Sequence, residues 1–328
     1  MKQRHICITG GAGFIGSHLT GALLSRGHRI TVLDDLSTGS RANLSAVEHE
    51  PNLHFIEGSV CRPDDVAGAI AGCDTVFHLA AAVGVDLVVR SPVWTIETNV
   101  HGTETVLNAA EARGAKVFLA STSEVYGRSQ ARAFTERDDL LIGPPNMGRW
   151  SYAVSKLVDE FLALAFARER RLDVVVTRFF NTVGPRQTGR YGMVLPRFVE
   201  AALNGDPVRV YGDGTQTRCF CHVQDTVRAL LALDEQPSLN GRIYNIGTDC
   251  EITINNLAQT VIRLCGSTSE IIHIPYEEAY APGFEDMLRR VPDTTALREA
   301  TGWSWEHSLE SIVAEVRDDI LARRAEGS

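Results

Sequence analysis

The sequence predicts an α/β protein, a doubly wound parallel sheet followed by a smaller α/β C-terminal lobe. Three observations predict it. Apolar runs of strand length alternate with helical segments from His5 to Arg178. A glycine-rich loop joins the first of those runs to the first helix. After Asn181 the style changes: turns crowd in at Gly184-Pro185, Asn204-Gly205, Tyr211–Gly214 and Asn240-Gly241, with shorter strands between helices. The expected division is 1–180 and 181–328, a change of architecture with no flexible linker, and with some chain crossing back to the first unit.

Each element has its own signal. His5–Thr9 is a short apolar strand, Gly10–Gly16 the glycine loop, and Phe14–Arg26 a helix stopped by Gly27. Arg29–Leu33 is a β-branched strand ending in Asp34 and Asp35. Leu53–Glu57 is a third strand, Asp64–Ala71 a short helix and Thr75–Leu79 a fourth strand. Ser91-Pro92 pairs a cap with a first-turn proline and opens a helix to about Arg113. Lys116–Ala120 is a fifth strand. Ser151 is expected to cap a long helix to Arg170, and Asp173–Arg178 is a sixth strand.

Composition narrows the function. The chain has 328 residues, 44% hydrophobic and 22% charged, ordinary globular usage. Its 32 basic and 41 acidic residues leave a net charge of −9, which disfavours a nucleic-acid binder. No stretch approaches the ~18 apolar residues of a membrane span. The N-terminus carries no signal-like apolar region, so a cytoplasmic protein is expected. Seven scattered cysteines, an odd number, read as reduced buried thiols. Cys219-Phe-Cys221-His222 has ligand-like spacing but no second ligand pair near it, so it reads as buried strand and no metal is expected.

The glycines at 10, 13 and 16 follow a strand and open a helix. Small residues there let the backbone turn tightly and approach a pyrophosphate resting on the helix N-terminus. Asp34 ends the next strand, 18 residues after Gly16. An acid there accepts hydrogen bonds from ribose hydroxyls and repels a 2′-phosphate, so the pattern points to NAD rather than NADP.

Tyr152 and Lys156 stand at i and i+4 of a predicted helix and share a face. A nearby ammonium favours a phenolate, so the tyrosine is expected to titrate below its usual ~10 and to act as a base on a hydroxyl. Thr122 and Glu124 follow the fifth strand, at the edge where parallel sheets place ligands.

With these residues in view, the chain resembles the extended short-chain dehydrogenases that act on nucleotide sugars. The matching runs include TGGAGFIGSHL at 9–19, HLAA at 78–81, TNVHGT at 98–103, STSEVYG at 121–127, YAVSK at 152–156, RFFNTVGPRQ at 178–187, VLPRF at 194–198, YGDGTQTR at 211–218 and RRVPD at 289–293. The resemblance implies a Rossmann domain holding NAD and a lobe holding a UDP-sugar. It implies cofactor contacts from Gly10, Gly13, Phe14, Ile15, Gly16, Asp34, Ala80, Ala81, Asn99, Tyr152 and Lys156. Tyr152 would be the base, Lys156 its orienting partner, and Thr122 a hydrogen-bond partner of the oxidised hydroxyl. Ser123, Asn181, Leu195, Tyr211 and Arg218 would face the sugar nucleotide, with Arg289 or Arg290 reaching a phosphate or ribose. It further implies a homodimer through a four-helix bundle formed by the helices at 92–113 and 151–170.

The chain departs from the family at two places. Gly58-Ser59 stands where the family has Gly-Asp, so the adenine contact passes to Ser59 and Val60. Cys219 stands where an Asp commonly follows the arginine. The triplet Thr122-Ser123-Glu124 separates the possible reactions. Hexose 4,6-dehydratases carry Thr-Asp-Glu, and Ser123 is no acid at neutral pH. Thr-Ser-Glu is similar to the UDP-glucuronate decarboxylases, with Arg186 or Arg190 as candidate carboxylate ligands. A UDP-sugar 4-epimerase remains the alternative, since it needs the same Tyr, Lys, Thr and NAD. A non-catalytic NAD or nucleotide-sugar binder is disfavoured by the intact Tyr152, Lys156 and Thr122.

Overall fold

The computed structural model describes residues 2–84, 88, 90–189, 193–279 and 287–326. In the first half the elements are β1 (His5–Thr9), α1 (Phe14–Ser25), β2 (Arg29–Asp34), β3 (Leu53–Glu57), α2 (Pro63–Ile70), β4 (Thr75–His78), α3 (Pro92–Arg113), β5 (Lys116–Thr122), α4 (Trp150–Glu169) and β6 (Val174–Phe179). These follow the sequence reading to within two residues. Proline opens α2 and α3, where its missing N–H costs nothing. Gly114 closes α3 in the left-handed region, at φ 66°.

One boundary needs correction. Ser151 does not cap α4; the cap position is Arg149, and the Ser151 hydroxyl donates to the Gly148 carbonyl from inside the helix. The Trp150 side chain is buried, so packing starts the helix two residues earlier than the capping residue suggests.

The second half runs β7 (Thr182–Val183), α5 (Val194–Asn204), β8 (Val208–Tyr211), β9 (Thr217–Cys219), β10 (Cys221–His222), α6 (Val223–Asp234), β11 (Arg242–Ile246), β12 (Glu251–Thr253), α7 (Ile254–Leu264), β13 (Ile271–Ile274), α8 (Tyr276–Ala279), α9 (Thr295–Thr301) and α10 (Leu309–Glu326). Three two-stranded pairs brace it: β7 with β10, β9 with β12 and β8 with β13.

The large sheet is parallel throughout, in the order β3-β2-β1-β4-β5-β6-β11. Strand order reverses between β1 and β4, which opens a crevice at the carboxyl ends of the strands. Side chains alternate across the sheet. Ile6, Ile8, Phe77 and Phe118 pack on one face, under α1, α6 and α9. Cys7, Val76, Val117 and Val176 pack on the other, under α2, α3 and α4. Burial on both faces accounts for the near-continuous apolar strands. The lobe has its own core, built from α5, β8, α7 and α10 around Phe198, Val210, Leu257 and Val316.

Candidate active site

A cavity of about 440 Å³ runs along the carboxyl edge of the large sheet and under the lobe. Its size is that of an ordinary ligand site. At one end lies the glycine loop. Gly10 sits at φ 71°, and a Cβ on Gly16 would fall 2.1 Å from the Gly10 carbonyl oxygen, so no larger residue fits there. Gly10, Gly13, Phe14, Ile15 and Gly16 all line the cavity, as do Val60, Ala80 and Ala81.

Asp34 also lines it and is tied to the loop itself. Its Oδ2 accepts the Ala12 N–H at 2.9 Å, and its Oδ1 accepts the Leu36 N–H at 2.9 Å. Burial raises the carboxyl above its usual value, and the two amides oppose that rise. A small-residue cradle at a helix N-terminus, with an acid at the end of the next strand, fits a dinucleotide.

Two expected cofactor contacts stand back from the cavity. The Ser59 N–H donates to Asp65 at 2.8 Å, while its neighbours Gly58 and Val60 form the wall. Asn99 is buried behind the wall. It accepts the Ala82 N–H at 2.8 Å and donates to the Ser155 hydroxyl at 3.0 Å, pinning the loop after β4 to two helices.

At the centre lie Thr122, Ser123, Glu124, Tyr152 and Lys156, brought together by the end of β5 and the start of α4. The protein groups around Tyr152 run against the expected lowering. Burial and the negative charge of Glu124 push the phenol above its usual value, and a hydrogen bond with Thr122 only partly offsets them. The Lys156 ammonium is instead paired with Asp159, at 2.7 Å. Its charge is met by that carboxylate before it reaches the phenol, which the i, i+4 spacing alone does not disclose.

Glu124 accepts from Arg149 at 3.1 Å and from Arg290 at 2.5 Å. Burial alone would raise its carboxyl, but Arg149, Arg290 and Arg218 outweigh it and hold the group down at about 2. Arg149, buried one helical turn before Tyr152, is a site residue that the sequence reading missed. Its i, i+3 spacing to Tyr152 was the available signal.

From the lobe, Asn181, Leu195, Tyr211, Arg218 and Arg290 line the cavity. Arg218 is buried, its Nη1 donating to the carbonyls of Thr217 at 2.7 Å and Met287 at 2.8 Å. Arg197 lies 4.4 Å over the Tyr211 ring. Arg289 is turned away and pairs with Glu251 at 2.5 Å, so Arg290 is the member of that pair in the cavity. Arg186 is also off the cavity, its guanidinium on the Ser17 hydroxyl at 3.2 Å and its N–H on Asp319 at 3.1 Å. Arg190 lies outside the described residues.

The seven thiols are free. Cys7, Cys73, Cys219 and Cys221 are buried as expected, but Cys61 and Cys265 are half-buried and Cys250 is exposed. Burial pushes the Cys219 and Cys221 thiols up to about 12. His222 caps α6: its Nδ1 accepts the Gln224 N–H. That bond leaves the proton on Nε2, which faces Glu315 at 3.2 Å, so the grouping with His307 is not set up to ligate an ion.

Known proteins resemble this chain in sequence and in fold. The sequence pattern described as the NAD dependent epimerase/dehydratase family matches residues 6–247. A UDP-N-acetyl-alpha-D-glucosaminuronate decarboxylase of Bacillus cytotoxicus is 42% identical over 97% of this chain and 99% of its own length. UDP-glucuronic acid decarboxylase 2 of Arabidopsis thaliana is 34% identical over 100% of this chain and 71% of its own. Among solved structures, the dTDP-glucose 4,6-dehydratase DesIV from Streptomyces venezuelae, with NAD bound, superposes with a TM-score of 0.89 at 30% identity, over 98% of each chain. Glycine cradle, Asp34, Tyr152 and Lys156 thus sit in a sheet and a sequence pattern that agree over most of the length: the chain belongs to the NAD-dependent epimerase/dehydratase family.

Proposed function

We propose that the protein is a UDP-hexuronate decarboxylase that oxidises C4 of the sugar, releases carbon dioxide and reduces the ketone again. UDP-glucuronate would give UDP-xylose. The observation that carries this reading is the cradle of Arg149 and Arg290 around Glu124, beside Tyr152. Two arginines forked on a carboxylate can also receive a substrate carboxylate, which an epimerase acting on a neutral sugar does not need.

NAD supplies the hydride acceptor at C4 and the donor for the return step; Gly10, Gly13, Gly16, Asp34 and Lys156 would hold it. Tyr152 would take the proton of the C4 hydroxyl, which Thr122 also bonds, from its phenolate form, which the Lys156 cation favours and burial and Glu124 oppose. The ketone at C4 makes the uronate a β-keto acid. The C5–carboxylate bond breaks, its electron pair passes through C5 to the C4 oxygen, and carbon dioxide leaves. C5 then takes a proton from water; Glu124, kept ionised by its arginines, lies adjacent to orient that water. Ser123 cannot protonate a leaving C6 hydroxyl, so dehydration lacks its acid.

In this reading 1–180 serves the cofactor and 181–328 the sugar nucleotide, with α6 and β11 crossing back. A homodimer is supported by apolar side chains left exposed on α3 and α4, among them Val93, Ile96, Val154, Val158 and Phe161. Seven free thiols support a reducing, cytoplasmic setting.

The test is incubation in deuterium oxide with UDP-glucuronate, UDP-N-acetylglucosaminuronate and UDP-glucose, with products read by NMR. The 42% identical relative earns the second substrate its place. Carbon dioxide release with deuterium at C5 of the pentose is expected. A uronate inverted at C4 and free of deuterium would move the assignment to a 4-epimerase.

A further inference from the structure

The Lys156 ammonium and the Asp159 carboxylate are 2.7 Å apart, with side chains 3% and 0% exposed. They stand at i and i+3 on α4, and Tyr152 is one turn before Lys156 on the same face. Behind the pair, α3 brings Thr103 and β4 brings His78, which is bonded to Thr9 at 2.7 Å and to Thr103 at 3.1 Å. Burial and the Lys156 charge drive the His78 imidazole down to about 3, so it stays neutral.

The other acids nearby are already engaged. Glu160, the next residue, is held by Arg178 at 2.7 Å and by the Ser121 hydroxyl at 2.5 Å. Glu124 is held by Arg149 and Arg290, with Arg218 beyond them. Among the described residues, Asp159 is therefore the acid that answers the Lys156 charge. Its second oxygen, Oδ1, makes no hydrogen bond of ordinary geometry; burial raises the carboxyl above its usual value, and Lys156 and Thr103 oppose that rise.

We propose that Asp159 is a positioning residue that fixes the Lys156 ammonium by a buried ion pair and limits the pull of that cation on the Tyr152 proton. The proposal rests on the reading of Tyr152 as base and Lys156 as its partner. Asp159 holds the Lys156 ammonium at 2.7 Å, and its negative charge makes the phenol harder to ionise. Asp159→Asn keeps an amide oxygen within reach of that ammonium. The cation is held in place at the cost of part of its field. Removing the charge while keeping the shape should therefore ease proton loss from Tyr152.

The experiment compares Asp159→Asn, Asp159→Glu and the unaltered protein in two measurements. The first is the pH dependence of kcat/KM with UDP-glucuronate. The second is the tyrosinate absorbance of the protein without added cofactor, read as the difference from a chain that also carries Tyr152→Phe. In Asp159→Asn, both the acidic limb and the tyrosinate onset should move to lower pH by about one unit. Asp159→Glu, which keeps the charge, should restore both. Where Asp159→Asn does not accumulate as folded protein, Asp159→Ser is read in its place. A limb and onset that stay put or move upward would overturn the proposal. So would failure of both uncharged variants to fold, since the carboxylate would then serve stability alone. Tyr152→Phe with normal turnover would instead sink the reading beneath it, so the two failures are told apart.

Discussion

Glu124 and Arg290 meet at 2.5 Å across the cavity, one from the turn after β5 of the large sheet and the other from the lobe. Arg149 approaches the same carboxylate from the N-terminus of α4. The contact joins the two halves of the chain at the cavity.

That pair sets a pH dependence of stability. The Glu124 carboxyl lies at about 2 in the folded protein against an ordinary 4.5. A depressed carboxyl contributes stability that is full above its unfolded value and is lost as pH falls through the folded one. Glu124→Gln should therefore lose less stability than the unaltered protein on acidification from 4.5 to about 2, as read by urea unfolding at each pH. At neutral pH the same variant should slow carbon dioxide release more than the first oxidation.

Asp34→Ala removes the acceptor for two backbone amides as well as the expected ribose contact. NAD affinity should fall at least about tenfold, since hydrogen bonds to a charged group are worth ~1.5–3 kcal/mol. The preference over NADP should shrink. Titration calorimetry with both dinucleotides checks this, and unchanged binding of each would remove Asp34 from the cofactor site.

Arg218→Ala should raise the KM for the sugar nucleotide by about one to two decades and leave NAD affinity near normal. The warrant is a charge-assisted contact of ~1.5–3 kcal/mol to a phosphate oxygen. The guanidinium is also bonded to the carbonyls of Thr217 and Met287, so Arg218→Lys should rescue little of the loss. Equal loss of NAD and sugar-nucleotide binding would mean that the arginine braces the fold instead.

Phe161 is 68% exposed on α4, within an apolar strip shared with α3. Phe161→Glu should shift the protein from dimer to monomer in sedimentation analysis, because a buried charge at a helix–helix seam is costly. A monomeric unaltered protein would end the four-helix-bundle proposal.

The fold was legible because its signals are local. Period, glycine and proline placed β1 to β6 and the helices between them, since both faces of the sheet are apolar and each turn is marked. The glycine loop and Asp34 were legible for the same reason. Residues whose task depends on distant partners were not. Arg149 was not named, Arg290 was named for a phosphate or ribose and not for its contact with Glu124, and Asp159 takes up the charge assigned to Lys156. Arg186 looked available for a carboxylate because its loop was known and its direction was not; the backbone at φ 68° turns it onto α1. Helical spacing tells which residues share a face, and tertiary packing decides what that face meets.

The seventh strand carries a consequence for how the chain is made. β11 pairs with β6 in parallel, Ile246 beside Phe179, although residues of the lobe separate them in sequence. A ribosome that has delivered the first six strands has therefore built a sheet whose β6 rim is still uncovered. β6, which opens with three valines, waits with open backbone groups until residue 246 clears the exit tunnel. A fragment cut near residue 180 would keep that rim permanently and should self-associate. Expression of the first unit alone is thus a poor route to a cofactor-binding domain, and the nascent chain has reason to meet a chaperone during that interval.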